Sequence, residues 1–381
     1  MKVIVAGGDG FCGWATSLRL AKSGHDVLIL DNLSRRKIDI ELETNSLTHI
    51  FSINERIRIA NNLIGKINFQ LIDIAKDYQK LVNIIKEFKP NAIVHFAEQR
   101  AAPYSMLGAV ERRYTMDNNL STTHNLCSAI VDIDRKIHMV HLGTMGVYGY
   151  DDSYGEIPEG YLDITINRTG ASDDIIFPAN PGSIYHLTKV LDHQVLQFYR
   201  KNWDIPITDL HQGIVWGIQT KETKLDNTLS NRFDYDGIYG TVLNRFIVQA
   251  LNKHPLTVYG TGGQTRALIH VDDTAECIKL AIENIPNGKK VRVLNQVSET
   301  RSILELAEFV SDKIGGIIKK YDNPRHELSV NRLKVSNEGL KSLGFKPKLI
   351  SEELLDDIVS VAESMNMSFD VSKVLNSPKW A

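Results

Sequence analysis

The stretch Gly7-Gly8-Asp9-Gly10-Phe11-Cys12-Gly13, directly after the apolar run Val3-Ile4-Val5-Ala6, constrains this chain more than any other feature. Glycines three apart (Gly7, Gly10, Gly13) let the backbone turn tightly out of a strand and approach a pyrophosphate. The helix that follows presents unpaired N–H groups and a positive dipole end to that anion. A glycine turn alone is common. Here a second strand follows, Asp26-Val27-Leu28-Ile29-Leu30, and ends at Asp31 about twenty residues on, where a carboxylate holds a ribose diol. The segment predicts a dinucleotide site, with Phe11 and Cys12 beside the glycines. Asp31 would accept ribose hydroxyls and repel a 2′-phosphate, which favours NAD over NADP. Arg35 and Arg36 close by weaken that preference: they read as a solvated cluster or as a contact to cofactor phosphate or ribose.

The rest of the first half alternates apolar runs with amphipathic stretches. Strands are expected at Lys2–Ala6, Asp26–Leu30, Phe69–Ile72, Ala92–Phe96, Met139–Leu142 and Ile207–His211, and helices at Cys12–Lys22, Tyr78–Phe88, Asn119–Val131 and Tyr185–Asn202. Such alternation predicts an α/β fold, a doubly wound parallel sheet with helices on both faces. Two insertions interrupt it, 32–66 and 151–181. Long loops in a compact domain are usually functional or disordered, and the second reads as a hairpin or lid at the active-site mouth. After His211 the rhythm loosens. Residues 1–211 are expected to form the dinucleotide-binding domain and 212–381 a smaller α/β domain over the carboxyl ends of the strands, with some exchange of strands and helices between them.

The second chemical signal is Tyr185-His-Leu-Thr-Lys189. A Tyr-x-x-x-Lys spacing puts both side chains on one face of a helix. An ammonium beside a phenol lowers the tyrosine pKa and predicts a base working near neutral pH. Thr144, at the end of the fifth strand, is placed to hydrogen-bond the reacting oxygen.

These residues, with Asp73-Ile74, resemble the extended short-chain dehydrogenase/reductase family, the NAD-dependent epimerases and dehydratases, over most of the chain. The resemblance implies adenine contacts from Asp73 and Ile74, and a cofactor wall from Phe96 and Ala97. It adds cofactor contacts at Asn32 and Ser34, and an anchor behind Thr144 from Asn118 or Asn119. Leu256-Thr257-Val258-Tyr259-Gly260, Gln264-Thr265-Arg266 and His270-Val271-Asp272-Asp273 are similar to the family's nucleotide-sugar segment. It implies Arg266 and Arg325 as a clamp on a UDP diphosphate, and Gln212, Thr241, Asn244, Thr257, Val258, Tyr259 and Gln264 around phosphate, sugar or uracil.

Glu98-Gln99-Arg100-Ala101-Ala102-Pro103-Tyr104-Ser105-Met106, Asn32-Leu33-Ser34-Arg35-Arg36, and the pair Tyr185-His186 with Tyr239-Gly240-Thr241-Val242-Leu243-Asn244-Arg245 resemble one branch in particular, the UDP-sulfoquinovose synthases. That resemblance implies UDP-glucose and sulfite as substrates, in an activity classed with hydrolases of carbon–sulfur bonds. The implied route is oxidation at C4, loss of the C5 proton and C6 hydroxyl, sulfite addition at C6, and re-reduction, so that NAD stays bound. Sugar 4,6-dehydratases carry Thr-Asp-Glu after the fifth strand; this chain has Thr144-Met145-Gly146. His186 is the expected substitute acid/base, because imidazole titrates in the right range. Met145 is expected near C6, Gln99 and Arg100 near sulfite or cofactor phosphate, and Glu98 as an alternative base. A UDP-glucose 4-epimerase is the alternative enzyme, and a nucleotide-sensing binding protein the alternative class.

Bulk properties narrow the partners. A net charge of −2 over 381 residues, without a long basic run, argues against nucleic acid. No apolar run reaches the ~20 residues of a membrane span. Cys12, Cys127 and Cys277 form neither a metal-ligand pair nor a disulfide framework. No metal is expected. With its first strand starting at Lys2, the chain reads as a cytoplasmic protein without a signal peptide. By analogy with the family, a homodimer pairing through Asn119–Val131 and Tyr185–Asn202 is expected.

Overall fold

Seven strands pair in parallel into one sheet: β1 (Lys2–Ala6), β2 (Asp26–Asp31), β3 (Ile67–Leu71), β4 (Ala92–His95), β5 (His138–Thr144), β6 (Ile207–Gln212) and β7 (Arg292–Gln296). Their spatial order is β7-β6-β5-β4-β1-β2-β3. This computed structural model describes residues 1–149, 155–323, 325, 328–364 and 372–373. The central strands β1 and β2 are apolar on both faces because both are covered. Val3 and Val5 pack beneath helices Phe11–Lys22 and Val271–Glu283. Ile4 and Ala6 face helices Tyr78–Phe88, Ala109–Ile133 and Ile184–Trp203. The chain leaves β1 towards β2 on one side and returns to β4 on the other. That reversal opens a crevice at the carboxyl ends, where ligands bind in such sheets.

The second half supplies the other wall. Ile214–Trp216, Thr265–His270 and Glu299–Ser302 form a three-stranded sheet, and Leu256–Tyr259 pairs with Ile318–Tyr321. Helices Val242–Leu251, Ile303–Ile314 and Glu352–Ser364 enclose a core around Trp216, Phe233 and Phe246. Two elements of the second half pack with the first. β7 joins the large sheet beside β6, and helix Val271–Glu283 packs on Phe11–Lys22.

Two expectations change. The helix foreseen at Asn119–Val131 starts at Ala109, capped by Gly108; Ala109–Asp117 shows no apolar stripe and so gave no periodic signal. The second insertion does form a hairpin, Tyr161–Thr165 with Ser172–Ile176, but not at the mouth of the site. The Tyr161 hydroxyl donates to Val291 O at 2.8 Å and Lys290 pairs with Asp174, so the hairpin leans on the sheet edge beside β7. None of residues 155–181 lines the cleft, and 150–154 fall outside the described residues.

Candidate active site

The phosphate loop is shaped by what a side chain would strike. Gly7 has φ +82°, and a Cβ there would come within 2.6 Å of the Phe96 carbonyl carbon. A Cβ on Gly13 would sit 2.1 Å from Gly7 O, so the helix start can close onto the strand end only with glycine. Gly10 caps helix Phe11–Lys22, which has no acidic residue in its first turn, leaving the positive end open to an anion. Cys12 lies in that turn, its thiol pushed up to about 11 by burial, consistent with a filler rather than a nucleophile.

A small hollow beside the loop gathers Asp31, Asn32, Ser34, Asp73, Ile74, Ala97, Asn118 and Glu98. Three strand ends and helix Ala109–Ile133 thus converge where the sequence motifs place an adenosine. Asp31 accepts backbone N–H groups from Asp9 (2.9 Å) and Leu33 (2.7 Å). Burial, then the neighbouring Asp9 charge, pushes its carboxyl up to about 6. Arg36 is committed to Asp9, at 2.6 and 2.8 Å, where Arg56 also binds at 2.7 Å. Arg35 pairs with Asp39 and Asp234 and stacks 3.6 Å over the Tyr239 ring.

Tyr185, half-buried, lies in the first turn of helix Ile184–Trp203, and Lys189, buried, follows one turn later. Thr144 Oγ1 accepts from Gly146 N at 3.2 Å, and its hydroxyl helps lower the Tyr185 pKa. The expected acidic tyrosine is not what the site holds. Burial raises the phenol pKa, Lys189 lowers it, and Glu98 raises it again, for a net upward shift. Asn119 ties its helix to the loop after β4 and to helix Ile184–Trp203. It accepts from Gln99 N (2.9 Å) and donates to Gln99 O (3.0 Å) and Thr188 Oγ1 (3.1 Å). Asn118 donates to Asn119 at 3.1 Å. Gln99 is itself a loop pin, donating to Ala101 O and Thr115 Oγ1, both at 3.0 Å. Glu98 lines the two cofactor hollows rather than the main cleft, and pairs with Lys189 at 2.6 Å.

The main cleft, about 280 Å³, is lined by Phe11, Cys12, Arg100, Thr144, Met145, Tyr185, His186, Gln212, Thr241, Thr257, Tyr259, Gln264, Arg266 and Arg325. It shares Phe11, Arg100, Tyr185 and Tyr239 with a neighbouring hollow of about 110 Å³ that also holds Gly7, Gly10, Gly13, Ser34, Arg35, Phe96, Gln99 and Lys189. Dinucleotide site and second-ligand site are therefore continuous. Alternation along Leu256–Tyr259 sends Thr257 and Tyr259 into the cleft and Val258 into the core. Asn244 is buried in its helix and does not line the cleft. Gln212 donates to Thr274 Oγ1 (3.1 Å) and Gln296 Oε1 (2.9 Å). Arg100 donates to Asp234 at 2.8 Å and lies between the rings of Phe11 and Tyr239. Tyr239 and Arg245, given in the sequence only as part of a motif, and Arg232, not singled out there, complete the walls.

His186 faces the cleft, and its ring lies against Gly146: a Cβ there would fall 2.3 Å from both Cδ2 and Nε2. Its Nδ1 has no hydrogen-bond partner among the described residues. Burial, then the charges of Arg325 and Arg266, lower its pKa to about 3, so the imidazole is neutral.

Residues 3–295 match the NAD dependent epimerase/dehydratase family. The chain is 43% identical over its full length to "UDP-sulfoquinovose synthase, chloroplastic" of Spinacia oleracea, covering 79% of that protein. It is 40% identical to the UDP-sulfoquinovose synthase of Sulfolobus acidocaldarius, over 91% of this chain and 89% of that one. The solved UDP-glucuronic acid 4-epimerase of Bacillus cereus, in complex with UDP-glucuronic acid and NAD, superposes with a TM-score of 0.68 at 21% identity, over 97% of this chain and 100% of that one. That likeness shows the shared fold. With the glycine cradle, the adenosine hollow and the Tyr185–Lys189 pair in place, NAD is the cofactor. The chain belongs to the NAD dependent epimerase/dehydratase family and, within it, to the UDP-sulfoquinovose synthases.

Proposed function

We propose that the chain makes UDP-sulfoquinovose from UDP-glucose and sulfite, releasing water. The observation that carries this reading is the neutral His186 ring on Gly146, beside Met145 and Tyr185, in the cleft that Arg266 and Arg325 also line. A reaction that only oxidises and re-reduces C4 needs one acid/base residue. A second acid/base beside the first suits one that also removes a proton from carbon.

Bound NAD supplies a hydride acceptor at C4 and returns the hydride at the end. Tyr185 in its phenolate form, which the Lys189 charge favours, takes the C4 hydroxyl proton, with Thr144 holding the same oxygen. The resulting ketone acidifies C5–H, and His186 accepts that proton through a ring nitrogen. Its imidazolium, strongly acidic in this buried position, gives the proton to the departing C6 hydroxyl, which leaves as water. Bisulfite gives its proton to His186, its sulfur lone pair forms the C6–S bond as the C5–C6 double bond opens, His186 passes that proton to C5, and Tyr185 gives its proton back to the C4 oxygen. Arg266 and Arg325 pair with the diphosphate; cancelling their charge on binding raises the basicity of His186 just when substrate is present. Arg100, already oriented by Asp234, offers its remaining N–H donors to sulfite. Helices Ala109–Ile133 and Ile184–Trp203, the latter with Phe198 exposed, form the surface through which two copies pair.

Deuterium uptake tests the step that separates this reaction from epimerisation. With UDP-glucose and NAD in D2O, without sulfite, the proposal expects label at C5 of recovered sugar nucleotide. Label absent from C5, with UDP-galactose accumulating, overturns it in favour of the 4-epimerase.

A further inference from the structure

Behind the Tyr185–Lys189 pair lies a buried row of charges that the proton transfers above do not use. The pairing register builds it. His95 of β4, His141 of β5 and Asp209 of β6 are partners across three adjacent strands. Glu98, three residues past His95, closes the row from the loop. Its Oε2 is 2.6 Å from Lys189 Nζ, and its Oε1 is 3.0 Å from His95 Nε2 and 3.3 Å from His141 Nε2. His141 Nδ1 lies 2.8 Å from Asp209 Oδ1. Asp209 Oδ2 meets His193 Nδ1 at 2.7 Å and His211 Nε2 at 3.0 Å. Gly143 leaves room for this: a Cβ there would fall 2.6 Å from Asp209 Oδ1 and 2.7 Å from His211 Cδ2.

Charge is balanced inside the row. Burial favours a neutral Glu98, but Lys189 and the two histidines outweigh it and keep the carboxylate ionised. Burial and Lys189 push His141 down, yet Asp209 and Glu98 outweigh them and raise it to about 9. Asp192, 3.9 Å from His141, is pushed up to about 7 by burial and by the Glu98 charge. Lys189 also donates to Leu142 O at 2.6 Å. The ammonium is thus held by two acceptors, Glu98 and Leu142 O, whose residues border the dinucleotide hollow with it and do not line the substrate cleft. The charged groups acting on Tyr185 are Lys189 from its own helix, and Glu98 and Arg100 from the loop after β4.

We infer that Glu98 is a positioning residue which, backed by His141 and Asp209, sets how strongly Lys189 ionises Tyr185. The inference rests on the reading of Tyr185 as the residue that stores and returns one proton. That proton is taken at the first hydride transfer and needed again at the second, with elimination and addition in between. A phenol facing an unbalanced lysine would release it to solvent; with Glu98 balancing Lys189, Tyr185 keeps it.

The test reads ionisation directly and needs no turnover, so its failure is distinct from failure of the proposed reaction. The NAD-saturated protein is titrated by ultraviolet difference absorbance at the phenolate band. Because the chain has 13 tyrosines, each variant is read against the same variant carrying Tyr185→Phe. Glu98→Gln, which keeps the shape and removes the charge, is expected to lower the Tyr185 midpoint by about one pH unit or more. Glu98→Asp, which keeps the charge, stays near the wild type. A folded Glu98→Gln protein titrating as the wild type overturns the inference. Should Glu98→Gln not fold, Asp209→Asn reads the row from its far end. Neutralising Asp209 releases the His141 proton and leaves Glu98 less balanced, so the Tyr185 midpoint rises; an unmoved or lowered midpoint overturns the inference.

Discussion

The imidazole of His186 rests on the bare Cα of Gly146, in space that any side chain at 146 would occupy. The absence of a carboxylate after Thr144-Met145 and the presence of a histidine after Tyr185 are therefore one structural fact. Gly146→Ala should displace the ring and lower sulfonated product formation ~10²-fold, as a misplaced reacting group does, while C4 oxidation persists. Absorbance of reduced cofactor on mixing with UDP-glucose, set beside product yield, checks both halves.

His186→Ala is expected to oxidise C4 and stall before elimination, with product formation down ~10²–10⁴-fold. Tyr185→Phe blocks the earlier step, and reduced cofactor should not appear. Single-turnover absorbance separates the two variants; wild-type oxidation by Tyr185→Phe contradicts its role as proton acceptor.

The glycine cradle makes a binding prediction that needs no sugar. Gly13→Ala places a methyl 2.1 Å from Gly7 O, and the shift that relieves it should cost ~1–3 kcal/mol. Calorimetric titration with NAD should show affinity at least ~10-fold weaker. Unchanged affinity would mean that the loop does not hold the pyrophosphate.

Buried neutral histidines give the fold a pH dependence whose sign is fixed. His138 donates or accepts at 2.9 Å to Thr208 Oγ1, and burial, then the Arg292 charge, lowers its pKa to about 3. The folded pKa lies below the unfolded value near 6.5, so the unfolded chain binds the extra proton first. Its contribution is complete above pH 6.5 and is lost as pH falls towards 3, at about 1.4 kcal/mol per pH unit. Urea midpoints at pH 7, 6 and 5 should fall, and fall less steeply in His138→Gln.

Much of this architecture was legible in the chain because its signals are local. Gly7 to Asp31 is one contiguous unit, and Tyr185 and Lys189 are one helical turn apart. Strands β1, β2 and β6 and helix Tyr78–Phe88 were visible as apolar runs or stripes. What stayed hidden depends on pairing. His95, His141 and Asp209 each look like a stray polar residue in an apolar strand, and only the register of β4, β5 and β6 shows that they meet. Glu98 reads as a spare base until the loop turns it behind Lys189. The Tyr185 pKa reverses for the same reason: the helical spacing shows the lysine, while the burial and the opposing carboxylate come from elsewhere in the fold. β7 is an ordinary strand by pattern, and nothing near it in sequence announces its return to the first sheet.

The central claim is tested most directly by mass spectrometry of products from UDP-glucose and NAD, with and without sulfite. The account predicts a sulfonated UDP-hexose that appears only with sulfite and is absent for His186→Ala. UDP-galactose in both reactions, with no sulfonated product in either, would contradict it.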